Sequence, residues 1–114
     1  MCGIAGFSHR DWCVDRERIR GATACLIHRG PDQQGVFHSN IVSLGAVRLR
    51  IIDLAGGDQP ITSNDGDTTI VFNGEIYNHA ELRAELSSLG HHFRSRSDTE
   101  VLLEAFREWD VECF

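Results

Sequence analysis

The sequence predicts a layered α+β domain. Three observations carry that expectation: an apolar start followed by a helical repeat, β-branched segments broken by turn residues, and two capped amphipathic helices near the end. Met1-Cys2-Gly3-Ile4-Ala5-Gly6-Phe7 is small and apolar before Ser8-His9-Arg10 turns polar, which suits a short buried strand and places the chain start inside the fold. Over residues 15–26, Ile19, Ala22 and Leu26 recur at helical spacing. Asp15 and Glu17 complement the positive end of the helix dipole, and Gly21 is a weak point. Arg16, Arg18 and Arg20 are expected to project into solvent. Gly30-Pro31 ends regular structure, because proline disfavours helical backbone in the residue before it.

Between residues 35 and 47, Ser39-Asn40 interrupts Val36, Phe37, Ile41, Val42, Leu44 and Val47, predicting two strands joined by a tight turn. Residues 48–55 interleave Leu49, Ile51, Ile52 and Leu54 with Arg48, Arg50 and Asp53, so charge lies beside the core before Gly56-Gly57 and Pro60 mark a loop. Asn64-Asp65-Gly66-Asp67 reads as a turn leading into a strand over 68–72 that ends at Asn73-Gly74. Asn78 with Glu81, and Ser97 with Glu100, have the spacing at which a capping side chain and a glutamate satisfy each other's N–H groups. Leu82, Leu86 and Leu89 form the apolar stripe of the first of these helices, which Gly90 stops. Val101, Leu102, Ala105, Phe106 and Trp109 form the stripe of the second. This helix runs almost to Phe114 with no closing element, and the expectation is that more sequence followed.

With 114 residues, 41% of them hydrophobic, and a net charge of −6, the composition fits one soluble domain or part of one. A chain of this size buries roughly two-thirds of the surface it exposes when unfolded, so its core needs no disulfides. The acidic balance argues against nucleic acid and anionic membrane as partners. No apolar run is long enough to span a bilayer, and a cytoplasmic location is expected. All eleven basic residues are arginine, which removes the phosphate-binding lysine of a P-loop and any Schiff-base chemistry. Cys2, Cys13, Cys25 and Cys113 form no C-x-x-C pair and no zinc pattern with the six scattered histidines, so no metal site is expected.

Four places could carry chemistry. If Met1 is trimmed, Cys2 holds a thiol and a free α-amino group on one residue; the two ordinarily titrate close together, a little above neutral, so the amine can act as the base of its own nucleophile. Asn73 and Gly74 lie where a strand ends and can offer N–H donors to a developing oxyanion, with Glu75 following. Arg48 can grip a carboxylate and Asp98 an ammonium, together an α-amino acid. Taken singly, each also has a plain structural account: a small buried thiol, a turn, a surface ion pair and a helix-end charge.

Taken together the motifs resemble the class II glutamine amidotransferases, the N-terminal-nucleophile glutaminases, and within them the asparagine synthetase branch. The resemblance rests on Met1-Cys2-Gly3-Ile4-Ala5-Gly6, His28-Arg29-Gly30-Pro31-Asp32, Arg48-Leu49-Arg50-Ile51-Ile52-Asp53-Leu54, Gln59-Pro60, Asn73-Gly74-Glu75-Ile76-Tyr77-Asn78 and Ser97-Asp98-Thr99-Glu100, in the family's order. It implies a four-layer αββα sandwich of antiparallel sheets, here truncated, with residues 1–114 a partial type 2 domain. It also implies glutamine hydrolysis through a Cys2 thioester, with Asn73 and Gly74 holding the oxyanion. Arg48 would bind the substrate carboxylate and Glu75 and Asp98 its ammonium, while Leu49, Arg50, Ile51 and Ile52 would line the pocket. Arg50 departs from the small serine common in the family, and its stem is expected to carry the charge to solvent.

The implied partners are glutamine, a synthetase domain that these residues lack, and a second copy of the chain as a homodimer. The chain itself would need no cofactor; ATP and Mg2+ would serve the absent domain, where ammonia would amidate aspartate. Two alternatives stay open: an amidotransferase with another ammonia acceptor, and a non-catalytic module that binds an amino acid or a partner.

Overall fold

Period-two alternation and a period of 3.6 divide the chain into strands and helices, and a computed structural model, which describes residues 2–10, 16–50 and 56–114, gives the elements. In order they are β1 (Gly3–Ser8), α1 (Arg16–Ala24), β2 (Gln33–His38), β3 (Val42–Arg48), β4 (Ile61–Thr62), β5 (Thr69–Ile70), α2 (His79–Ser88) and α3 (Asp98–Trp109). Helices with antiparallel strands make this an α+β arrangement, as expected. Met1, the start of the expected helix at 15, and the segment 51–55 lie outside the described residues.

The chain forms two compact units. The first comprises the described residues up to Arg50 with Asp58–Pro60 and Val71–Asn73. Its sheet has the order β1-β3-β2, antiparallel throughout. The expected hairpin is present: Ser39 N–H donates to the Val42 carbonyl at 2.8 Å, closing the turn around Asn40 and Ile41. Helix α1 buries Ile19 and Thr23 against β3. Thr23 sits where it does because Gly45 has no side chain: a Cβ there would meet Thr23 Oγ1 at 2.0 Å. Strand β1 differs from the buried strand expected, since its residues alternate and Ile4 is 46% exposed. The side chains of Arg16, Arg18 and Arg20 lie in solvent, as predicted.

The second unit holds Ile61–Ile70 and Gly74–Phe114. Leu86, Val101 and Ala105 form its buried cluster, with Leu82, Phe93, Trp109 and Cys113 packed around them. Leu89, counted in the apolar stripe by spacing, is 52% exposed because α2 ends at Ser88 and the chain turns at Gly90, whose φ is +99°. Ser97 caps α3, its hydroxyl accepting from the Thr99 and Glu100 N–H groups. Asn78 makes no such bond. The strand expected over 68–72 pairs only at Thr69–Ile70. Phe72 gives its N–H instead to the Gln59 side chain, at 2.6 Å.

Candidate active site

The register of β1 on β3 pairs Gly3 with Val47, so Cys2 lies one step past the ladder, alongside the end of β3. Its Sγ is 4.0 Å from the Leu49 carbonyl oxygen, the outer limit of a weak thiol hydrogen bond. Arg29 Nε donates to the Cys2 carbonyl at 3.0 Å, and Cys2 remains half-buried. Arg29 thus fixes the backbone of residue 2 while leaving its sulfur and nitrogen uncommitted to the bond.

The segment after β3 is held by the loop at residues 28–32. Gly30 approaches so closely that a Cβ would fall 2.6 Å from the Arg48 backbone, which only glycine permits. Asp32 N–H donates to the Arg48 carbonyl at 3.1 Å, and Arg50 N–H donates to the Asp32 carboxylate at 2.9 Å. These bonds satisfy backbone groups at and just beyond the end of β3. Arg48 is buried, 6% exposed, and its Nη1 lies 3.3 Å from Asp58 Oδ1.

Arg50 was expected to send its charge into solvent. It stays accessible, but Asp58 holds it through both carboxylate oxygens. These hydrogen bonds raise the Arg50 pKa above its ordinary value. Leu49 sits between the two arginines, while Ile51 and Ile52 lie outside the described residues.

Gln59 ties a third piece of chain to this unit. Its carbonyl accepts from Gln33 Nε2 at 2.7 Å, its N–H donates to Gln33 Oε1 at 3.1 Å, and its own Oε1 takes the Phe72 N–H. Gln33 pairs with Arg48 in the sheet. A chain of bonds therefore runs from β3 to the residue before Asn73, which is exposed.

In the second unit Gly74 and Glu75 are exposed, and Asp98, the first residue of α3, is 8% exposed. Asp98 Oδ2 accepts the Ile76 N–H at 3.0 Å, anchoring the turn that carries Glu75 to the helix N-terminus. A carboxylate there is favoured by the helix dipole.

The structure therefore brings Cys2, Arg48, Leu49 and Arg50 together at one end of β3, with Asn73 held in the same unit. It brings Glu75 and Asp98 together in the other. Sequence reading gives no role to Arg29, Asp32, Asp58 or Gln59; the available signal was two arginines within three residues beside a core, an arrangement that asks for a counter-ion. A groove of about 560 Å³ between α1 and β2, lined by Glu17, Arg20, Gln34 and Val36 among others, includes none of the predicted residues. Among the described residues, no group of three or more His, Cys, Asp or Glu side chains could hold a metal ion. Among the described residues, too, no helix is long and apolar enough to cross a membrane.

Residues 1–114 match a family described as a glutamine amidotransferase domain. The chain belongs to that family. This amidotransferase domain is 42% identical over 98% of its length to asparagine synthetase (glutamine-hydrolysing) 1 of Bacillus subtilis, and 41% identical over 99% to number 3 of the same organism. It is 40% identical over 98% to asparagine synthetase (glutamine-hydrolysing) 1 of Arabidopsis thaliana. The chain spans only 18–19% of the length of these relatives.

Proposed function

We propose that residues 1–114 are part of the glutaminase portion of a glutamine-hydrolysing asparagine synthetase. One observation carries the reading: in a chain of amidotransferase ancestry, the half-buried Cys2 sulfur stands beside the β3 end that presents Arg48.

With Met1 removed, the α-amino group of Cys2 takes the thiol proton as sulfur attacks the carboxamide carbon of glutamine. The C=O electron pair moves onto oxygen, where the Asn73 side-chain amide and the Gly74 N–H stabilise it. Collapse of this intermediate expels ammonia, which leaves with the proton returned by the amine. Water, deprotonated by the same amine, then attacks the thioester; the C–S bond breaks, glutamate departs and the thiol is restored. Arg48 binds the substrate α-carboxylate, Glu75 and Asp98 its ammonium, and Leu49, Arg50, Ile51 and Ile52 line the pocket. The fold class proposed for the complete domain is the four-layer αββα sandwich, in which these residues form a partial type 2 domain. ATP and Mg2+ serve a synthetase portion outside these residues, in a cytoplasmic enzyme that pairs as a homodimer.

The reading is tested by glutamine hydrolysis in the full-length enzyme. It predicts loss of ammonia release in Cys2→Ala, and equal rates with and without the thiol would reject it.

A further inference from the structure

Two guanidiniums share one carboxylate at the end of β3, and they share it unequally. Arg50 meets Asp58 through Nη2, 2.8 Å from Oδ2 and 3.0 Å from Oδ1, and through Nε, 3.2 Å from Oδ1. This is the bidentate fork that makes arginine–carboxylate pairs directional. Of the two Asp58 oxygens Arg48 meets Oδ1, through Nη1 at the longer distance of 3.3 Å. The Arg48 side chain is 8% exposed against 34% for Arg50, so Arg48 is set by its surroundings whereas Arg50, on an unbranched stem, is set by Asp58. A single carboxylate reaches both forks here. A carboxylate delivered to Arg48 by a ligand would therefore come within range of Arg50, were Arg50 released.

We propose that Asp58 is a positioning residue that sequesters Arg50, so that Arg48 alone receives the α-carboxylate of the amino-acid substrate. The inference rests on the glutaminase reading above and adds to it a requirement for pocket selectivity. Without the Asp58 charge, two arginines compete for one carboxylate. Glutamine held by Arg50 has its carboxamide displaced from Cys2 and does not react. Such an unreactive complex lowers kcat and KM by the same factor and leaves kcat/KM unchanged, because it adds a bound state without altering the path from free enzyme to transition state. A purely structural role for Asp58, loosening Arg48 when removed, would raise KM and lower kcat/KM instead.

The test is steady-state glutamine hydrolysis by the full-length enzyme and three variants. Asp58→Asn keeps the shape and one acceptor but not the charge, and kcat and KM are expected to fall together by about fivefold. Adding Arg50→Ala to Asp58→Asn is expected to recover most of the lost kcat, and Asp58→Glu to behave as wild type. Unchanged kinetics in Asp58→Asn, a raised KM with a lower kcat/KM, or no recovery in the double variant would each overturn the inference. A wild-type enzyme no faster than Cys2→Ala would overturn the glutaminase reading itself, and this inference with it.

Discussion

Asp58 in the first unit and Glu104 in the second are each a carboxylate shared by two basic side chains, yet they do different work. Asp58 is 50% exposed and bridges Arg48 and Arg50. Glu104 is 4% exposed; it lies 2.6 Å from His91 Nδ1 and 2.7 Å from Arg107 Nη1. Water screens the first pair and lets it reorganise, so its value lies in where it points the arginines. Little water reaches the second, and removing one partner strands the others in a poorly solvated place. The same chemistry thus serves positioning at an open site and stability in a closed one.

The contrast predicts its largest effect at Glu104. Glu104→Ala should cost about 3 kcal/mol in denaturant unfolding; a change too small to resolve would put Glu104 with the screened pairs. Next comes Gly30→Ala, which forces a Cβ against the Arg48 backbone. It should destabilise by about 1–3 kcal/mol and also raise KM for glutamine, whereas a stability loss with unchanged KM would detach the loop from the site.

A smaller effect is expected from pH. The His91 pKa is raised above its ordinary value, first by the hydrogen bond that its ring donates to Glu108 and then, against a desolvation penalty, by Glu104. A raised folded-state pKa means that the contribution is complete below the unfolded value of about 6.5 and fades as pH rises through the folded value. Denaturation of wild type and His91→Gln should therefore differ more at mildly acidic than at mildly alkaline pH. The reverse order would contradict the assignment. Smallest of all, Asp58→Asn should leave the unfolding midpoint nearly where it was, because the Asp58 carboxylate is half exposed. A large drop would make Asp58 structural.

What could be read from the sequence follows the range of the interaction. Local periodicity gave α1, α2, α3 and the hairpin correctly, since each repeats within a few residues. Ser97 and Asn78 had equal claims as caps on paper, but Ser97 has the extended backbone that aims a capping side chain, with φ −67° and ψ 140°, whereas Asn78 sits at φ −94° and ψ 22°. Glu100, spaced to complete a capping box, spends its carboxylate on the Arg94 and Ser95 N–H groups. The strand over 68–72 shortened for a reason 13 residues away, the Gln59 side chain.

At the candidate site, residue type and motif order singled out Cys2 and Arg48, which the fold places at the same end of β3. Asp58 was not, because its role exists only once the chain folds back and one carboxylate meets both arginines.

The most direct measurement is intact-mass analysis of the full-length enzyme quenched during glutamine turnover, followed by mapping of any adduct. A glutamyl adduct on an N-terminal Cys2 peptide that lacks Met1, absent from Cys2→Ala, is the predicted result. Ammonia release of equal rate in both proteins, with no adduct on that peptide, would contradict it.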